Sequence, residues 1–134
     1  MQICYKPIGV IHSEFTDKKT TPIQSIFSTA EGTLEIFPEY VAGLKDLEGF
    51  SHLILLYHFH SAGEMILLEH PFADVKSERG IFAIRHFRRP NPIGLSIVDL
   101  LEIKDNLIHV RGVDILDGTP LLDIKPYIFQ FDNR

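Results

Sequence analysis

Short runs of alternating apolar and polar residues are the main pattern along this chain. The longest, Ser51 to His60 (SHLILLYHFH), places Leu53, Leu55 and Tyr57 on one face of an extended strand and its histidines on the other. Because large apolar side chains occur on both faces, we expect this strand to be covered on both sides and central to the sheet. Shorter runs of the same kind predict further strands over residues 5–15, 32–37, 80–85, 95–103 and 107–113.

Helical periodicity is nearly absent from the chain. Only PEYVAGL, which begins at Pro38, predicts a short helical turn, since proline is favoured at the first helical position. Lys104, Asp105 and Asn106 form a tight-turn sequence between the last two predicted strands, and residues 61–77 predict an irregular excursion. Short strands at this spacing favour a mainly β fold, a barrel or a sandwich, over an alternating βαβ fold.

The composition is typical of one globular domain. At 134 residues, 45% hydrophobic and 23% charged, the chain is long enough for one core, and we expect a single domain over residues 1–134. The net charge of −5 argues against a protein that coats nucleic acid non-specifically, although it allows a local basic patch. The one cysteine, Cys4, excludes an internal disulfide framework. Apolar runs are too short to span a membrane and no signal-peptide pattern is present, so we expect a cytoplasmic protein.

The stretch RHFRRPNP, Arg85 to Pro92, is the first candidate for chemistry and is called the arginine loop below. Its three arginines and one histidine crowd cationic groups together directly before two prolines, which fix the backbone and remove two N–H donors. We therefore expect a rigid, basic loop without internal hydrogen bonds. The plain alternative is a solvated connection between strands.

A second candidate lies in DILDGTPLLDIKPY, whose turn residues Leu116–Thr119 are called the acidic turn below. Together with the arginine loop, this turn predicts a site for a ligand that is anionic at one point and cationic at another. Arg85 can hold a carboxylate in a bidentate fork. Asp117 can face a positive centre or a hydroxyl, and the backbone amides around Gly118 can contact a ribose or a base.

Other kinds of chemistry have weaker support in the sequence. His58 and His60 point the same way along a strand and are compatible with a metal, but no third ligand stands at a convincing spacing, so we predict no metal. Asp114, Asp117 and Asp123 suggest a paired-carboxylate hydrolase, although Asp-Gly is also an ordinary turn sequence. The glycine-rich motifs of dinucleotide and triphosphate binding do not occur.

Four segments of the chain resemble the TrmO family, also described as TsaA-like or YaeB-like: PIGVIHSEF, GLKDLEGFSHLILLYHFH, GIFAIRHFRRPNPIGLS and DILDGTPLLDIKPYI. RPNPIGLS, LDGTP and DIKPY in this order are highly specific, and the resemblance covers nearly the whole chain. It implies a small closed or partly open β-barrel of short strands with a few short helices. It also implies a methyltransferase that uses S-adenosyl-L-methionine to modify the exocyclic N6 amine of threonylcarbamoyladenosine at position 37 of tRNA. Such proteins are usually homodimers with the cofactor near the interface.

The resemblance also implies roles for individual residues. Asp117 or Tyr127 would accept the proton released from the adenine amine, directly or through water. S-adenosyl-L-methionine would contact Gln24, His60, Ser61, Arg85, Leu95, Leu116, Asp117, Gly118 and Thr119. The tRNA would contact Arg79, Arg88, Arg89, Asn91 and Lys125.

The chain departs from the family pattern in several places. Ile23 stands before Gln24 where the family has arginine, the residues between Arg85 and Arg89 differ, and the excursion over residues 61–77 is short. The sequence also stops soon after DIKPYI, without the C-terminal extension of longer bacterial members. These differences leave a second class of function open: a non-catalytic module that binds S-adenosyl-L-methionine or a nucleoside and acts through a protein partner.

Overall fold

The computed structural model of the protein describes residues 1–16, 28–71 and 76–133. The strands in these ranges are β1 Gly9–His12, β2 Glu31–Ile36, β3 His52–His58, β4 Leu68–Glu69, β5 Arg79–Gly80, β6 Ile93–Lys104, β7 Leu107–Arg111 and β8 Thr119–Pro126. The helices in the same ranges are 3-10 helices at Pro38–Leu44, Leu47–Gly49 and Ile81–Ala83, and the α-helix α1 at Phe129–Asp132.

Six strands form a closed antiparallel barrel in the order β1-β2-β7-β6-β3-β8, with β8 also paired to β1. Closure leaves the barrel strands without an open sheet edge. β4 and β5 form a separate two-stranded ribbon, inserted in the chain between β3 and β6. The predicted mainly β fold is confirmed as a closed barrel, in which β3 lies between β6 and β8 and every strand has two neighbours.

Alternate residues of the strands fill the inside of the barrel. In β3, Leu53, Leu55 and Tyr57 are buried while the residues between them are more exposed, which confirms the predicted face of this strand. Side chains from the other barrel strands complete the core, including Ile11, Leu34, Ile36, Val98, Ile108, Val110 and Leu121. Fully burying one such side chain stabilises the fold by roughly 1.5–3 kcal/mol, so the core fixes the positions of the strand ends.

Gly94 allows an aromatic ring to cross the barrel. It pairs with Tyr57 on the neighbouring strand, and a Cβ at Gly94 would lie 2.3 Å from Tyr57 Cε2. Only a residue without a side chain leaves space for the ring in this position. The Tyr57 hydroxyl thereby reaches Ser96, which lies two residues further along β6.

The prediction of a strand over residues 80–85 is wrong. The strand β5 contains only Arg79 and Gly80, and the chain then turns into a 3-10 helix in which Ile84 N–H donates to Ile81 C=O. The apolar run looks like a strand, but only Ile81 is buried, and its N–H bond to Leu67 C=O continues the β4–β5 pairing by a single residue before the chain turns. The run therefore anchors a bend instead of a strand.

Two other boundaries differ from the predictions. β1 covers Gly9–His12 rather than residues 5–15, and residues 1–7 before it are exposed. The strand β8 was not predicted, because Pro120 and Pro126 suggested turns in this segment. Both prolines lie near the ends of the strand, where proline is tolerated. Among the described residues, no helix has the length and apolar character needed to cross a membrane.

Candidate functional site

One end of the barrel collects most of the residues that the sequence singled out. β1 and β3 finish at this end, while β6 and β8 begin there, because neighbouring strands run antiparallel. The register makes this explicit, with Ile11 opposite Thr119 and His58 opposite Ile93. We call this region the site end.

The acidic turn is fastened to the chain that follows β1. Asp117 N–H donates to Phe15 C=O over 2.7 Å, Gly118 N–H donates to Ile11 C=O over 2.9 Å, and Ser13 N–H donates to Asp117 Oδ1 over 3.0 Å. The left-handed backbone of Gly118, with φ of 81°, permits this geometry. Both amides already bind backbone carbonyls, and contact of this turn with a ribose or a base stays a prediction. The carboxylate of Asp117, by contrast, stays 44% exposed.

Thr119 links the acidic turn to His60 and orients its ring. The buried Thr119 hydroxyl donates to Leu116 C=O over 2.6 Å and lies 3.3 Å from His60 Nδ1. A hydroxyl has one proton, so His60 Nδ1 must be the donor in the second contact. In neutral His60, Nε2 is then left as a hydrogen-bond acceptor at the site end.

The arginine loop meets the acidic turn through two consecutive residues of the chain. Phe59 N–H donates to Pro92 C=O over 2.8 Å, and the Phe59 ring lies 6.2 Å from the Phe87 ring, centre to centre. His60, the next residue, contacts Thr119. Phe59 therefore touches the arginine loop and His60 touches the acidic turn, which brings the two predicted segments side by side.

The prediction that the arginine loop lacks internal hydrogen bonds is wrong. Arg89 Nη1 donates to Ile84 C=O over 2.7 Å and to His86 C=O over 3.2 Å. Arg88 Nε donates to Glu64 C=O over 2.7 Å. Prolines supply no N–H, so the guanidinium groups provide the donors that a proline-containing loop lacks. Arginine side chains therefore hold this loop in place together with the prolines.

A buried polar chain lies inside the barrel next to the acidic turn. Ser96 Oγ donates to Asp114 Oδ1 over 2.5 Å and lies 2.8 Å from the Tyr57 hydroxyl, which must then donate to Ser96. Burial, followed by the charge of Asp114, raises the pKa of Tyr57 well above its usual value. Sequence reasoning missed this network; the signal for it was a serine at an inward position of β6, between Gly94 and Val98.

A broad groove runs beside the site end. It lies between residues 1–7 and a wall that includes His58, Asn91 and Pro120, and has a volume of about 790 Å³. This volume is in the range of small-molecule pockets. His58 and His60 gain no third partner for a metal: residues 1–16, 28–71 and 76–133 contain no group of three or more His, Cys, Asp or Glu side chains that could hold an ion.

Comparison with known proteins assigns the family. Residues 10–133 match the family model described as the tRNA-methyltransferase O N-terminal domain. The chain belongs to the TrmO family. It is 56% identical over 135 residues to a probable S-adenosyl-L-methionine-binding protein of Pyrococcus abyssi, across 100% of this chain and 73% of the relative. It is 38% identical over 134 residues to the tRNA (adenine(37)-N6)-methyltransferase of Escherichia coli, across 92% of this chain and 57% of the relative.

Solved structures of TrmO share the fold. One crystal structure of TrmO aligns with a TM-score of 0.84 at 39% identity and covers 100% of this chain. TrmO from Pseudomonas aeruginosa aligns with a TM-score of 0.83 at 39% identity over the same share of the chain. The present chain spans 61% and 60% of the length of these two solved chains.

The structure separates some of the residues to which the TrmO resemblance gave a shared role. Tyr127 N–H donates to His52 C=O, and its ring lies edge-on to the His52 ring, at the barrel end opposite the site end. Eight residues of extended strand separate Tyr127 from Thr119, a span of roughly 25 Å. Lys125 is on the same strand and pairs with Asp123 over 2.9 Å. Within one chain, Tyr127 and Lys125 are therefore not brought together with the acidic turn.

The remaining TrmO-derived residues have diverse positions. Leu95 lies on the outer face of β6 and is 49% exposed, so its side chain points away from the barrel interior. Ser61, Arg85, Asn91 and Arg79 are exposed, the first three of them near the site end. Gln24 lies outside the described residues. The roles of all these residues in binding remain predictions.

Proposed function

We propose that residues 1–134 act as one TrmO-type domain that transfers a methyl group from S-adenosyl-L-methionine to the N6 amine of adenosine 37 in tRNA, in the cytoplasm. We further propose that this amine already carries a threonylcarbamoyl group. The observation that carries the proposal is the meeting of the acidic turn and the arginine loop through Phe59 and His60. The two most specific motifs of the family therefore face one region of the molecule.

The chemistry of the site end suits a sulfonium nucleoside. S-adenosyl-L-methionine, when bound, supplies a methyl group on a positively charged sulfur, which becomes a neutral thioether when the methyl leaves. Asp117 offers an exposed carboxylate and neutral His60 offers Nε2, so both accept hydrogen bonds or face a positive centre. Arg85, exposed at the start of the arginine loop, suits a carboxylate. We assign cofactor contacts to these three residues together with Leu116 and Thr119.

Proton removal falls to the acidic turn in this proposal. The new N–C bond forms at N6, and the proton on that nitrogen must leave. Ser13 N–H orients the Asp117 carboxylate, while its exposure allows the proton to pass on to water. The main task of the chain is alignment of donor and acceptor, since methyl transfer is an in-line displacement. Tyr127 serves this site only if a second copy of the chain supplies it.

A homodimer is part of the proposal. Ile93, Leu95 and Ile97 project from the outer face of β6 and are 41%, 49% and 39% exposed. Their partners on β3 include Leu56, opposite Leu95, and Ile54, opposite Ile97, so the apolar strip spans two strands. Exposed apolar patches of this kind mark interaction surfaces. A second copy seated on this strip would bring Leu95 and the site end close to the interface.

The reaction is tested directly with defined tRNA substrates. The protein is incubated with isotope-labelled S-adenosyl-L-methionine and tRNA with or without the threonylcarbamoyl group, and the RNA is digested to nucleosides for mass spectrometry. We expect label only on threonylcarbamoyladenosine. Asp117→Asn should reduce the rate by at least tenfold, as expected for loss of a proton acceptor. Asp99→Asn, which lies six residues along β6 from Ile93, is the matched control. Label on unmodified adenosine would reject threonylcarbamoyladenosine as the substrate but would support methyltransferase activity.

The non-catalytic module stays the second candidate. It is favoured by the separation of Tyr127 from Asp117 within one chain. Calorimetric titration with S-adenosyl-L-methionine distinguishes the two: tight binding without label in any tRNA supports the module. Binding with label in the tRNA supports the methyltransferase.

A further inference from the structure

Phe82 is unusually exposed for an aromatic residue inside the chain. Its side chain is 78% exposed, more than any other large apolar residue in the described part of the chain except Met1. Phe82 does not belong to a fraying terminus, since it is the middle residue of the 3-10 helix Ile81–Ala83. An aromatic ring held in water in this way is a candidate contact for a partner.

The backbone on both sides of Phe82 is fixed. Ile81 is 1% exposed, and its N–H donates to Leu67 C=O over 2.9 Å. Ile84 C=O accepts a hydrogen bond from Arg89 Nη1 over 2.7 Å. Phe82 is thus presented on a rigid support, and a ligand that binds its ring does not have to order the backbone first.

The surroundings of Phe82 are cationic on an acidic protein. Arg79 and Arg85 stand three residues before and three residues after it, and both are exposed. Residues 61–92 contain five of the 13 lysines and arginines of the chain but only four of its 18 acidic residues. The Phe82 support also connects to the arginine loop, because Ile66 N–H donates to Arg88 C=O. Phe82 is therefore joined through this support to the arginine loop, which borders the site end.

An exposed aromatic ring between cations matches the chemistry of unpaired RNA. Bases in single-stranded loops stack on aromatic side chains and on arginine, while phosphates bind the neighbouring positive charges. An apolar protein partner would instead leave Arg79 and Arg85 at the border of a dry interface. Charge complementarity thus favours a nucleic acid over a second copy of the chain.

We propose that Phe82 is a stacking platform for an unpaired base of the anticodon loop of the tRNA, next to the adenosine that is methylated. Arg79 faces a phosphate next to that base. This inference rests on the proposed function, since it requires tRNA as the substrate. It assigns to Phe82 a role in positioning RNA and no role in proton transfer.

The test measures binding of an anticodon stem-loop RNA by fluorescence anisotropy across a salt series. Phe82→Ala should weaken binding by about tenfold, the loss typical for one base–aromatic stack. The slope of log affinity against log salt should stay unchanged, because no charge is removed. Phe82→Trp should retain most of the affinity.

Phe131→Ala is the matched control. Phe131 is 70% exposed but belongs to α1, which follows β8 at the other end of the barrel. The Phe131→Ala variant should bind the stem-loop with the affinity of the unmodified protein.

Three results would overturn the inference. Equal affinity of Phe82→Ala and the unmodified protein rejects stacking while leaving the methylation assay, and so the proposed function, intact. A change from dimer to monomer for Phe82→Ala in sedimentation velocity means that the ring packs against a second copy. Absence of both stem-loop binding and methylation in the unmodified protein removes the proposed function, and the inference with it.

Discussion

Two regions of the barrel are held together differently: the site end, and the ion pairs around Asp99 in the middle of β6. At the site end, the buried Thr119 hydroxyl and the half-buried Arg89 guanidinium donate to backbone carbonyls. In the second region, Asp99 pairs with His52 over 3.0 Å and with Arg111 over 3.1 Å, and all three side chains are at least 38% exposed. Exposed ion pairs contribute about 0–1 kcal/mol, whereas a buried polar group that loses its partner costs about 1–3 kcal/mol. Single substitutions at the site end are therefore expected to lower the free energy of unfolding the most.

The largest effect is expected for Gly94→Ala. The added Cβ would lie 2.3 Å from Tyr57 Cε2 and 2.8 Å from Phe59 Cζ, so the Tyr57 ring must move and lose its contact with Ser96. We expect the free energy of unfolding in urea to fall by about 3 kcal/mol, as for an overpacked core. Gly43→Ala is the control, because no heavy atom lies within 4 Å of its Cβ. Similar stability of the two variants would contradict the tight packing at Gly94.

Ser96→Ala tests the buried polar chain itself. It leaves Asp114 and the Tyr57 hydroxyl without their shared partner, and we expect a loss of about 2 kcal/mol in the free energy of unfolding. Calorimetry should also show weaker binding of S-adenosyl-L-methionine, because Asp114 precedes the acidic turn. Ser51→Ala, whose exposed hydroxyl contacts His52, should change neither quantity. If Ser96→Ala loses stability but keeps cofactor affinity, the network supports the fold alone.

The pH dependence of stability isolates Tyr57. Its pKa is raised in the folded protein, so at high pH the unfolded chain releases this proton before the folded one does. The stabilising contribution of the neutral hydroxyl is complete below about pH 10, the ordinary pKa of tyrosine, and is lost as the pH rises further. The slope approaches about 1.4 kcal/mol per pH unit. Tyr57→Phe should show a shallower decline in urea unfolding between pH 9 and pH 11; an identical decline would place the ionisation elsewhere.

Arg89 and Arg85 should separate structural from ligand contacts within one loop. Arg89→Ala removes two hydrogen bonds to the carbonyls of Ile84 and His86, and we expect a loss of about 1 kcal/mol in stability. Arg85→Ala should weaken the binding of S-adenosyl-L-methionine, because it removes the charge-assisted contact proposed for the cofactor carboxylate. Thermal unfolding measures the first effect and calorimetric titration the second. Unchanged cofactor affinity for Arg85→Ala would reject its assignment.

The smallest effect is expected at Asp99. Asp99→Asn removes the exposed ion pairs with His52 and Arg111, and the free energy of unfolding should fall by less than about 1 kcal/mol. Affinity for S-adenosyl-L-methionine should be unchanged. A loss of affinity for Asp99→Asn would mean that the two regions are coupled, and the comparison between them would not hold.

The alternation of apolar and polar residues and the turn sequences predicted those features that depend on neighbouring residues in the chain. The alternation in β3 indicated which of its residues enter the core, and Lys104–Asn106 indicated the turn between β6 and β7, where Asp105 adopts a φ of 55°. The motifs RPNPIGLS and LDGTP indicated two segments that do come together. They lie side by side because both flank strand ends on one edge of a closed barrel, a relation that follows from antiparallel pairing.

Features that depend on distant partners were not predictable. Ser13 and Asp117 are 104 residues apart in the chain, and neither segment has a sequence pattern that predicts their hydrogen bond. The residue types from Ile81 onward are typical of a strand. The strand β5 nevertheless ends at Gly80, and a 3-10 helix follows it. Tyr127 is close to Asp117 in the motif, yet extended β8 carries it to the other end.

The pairing of β1 with β8 has a consequence for how this protein folds. The paired residues are more than a hundred positions apart, so the two strands can pair only after the intervening chain is ordered. Topologies rich in such distant pairings fold slowly. The acidic turn takes its final shape at the same moment, since it is anchored to residues just past β1. A cofactor recognised by this turn would bind the finished molecule and none of its precursors, and would raise its thermal midpoint in proportion to the logarithm of the cofactor concentration.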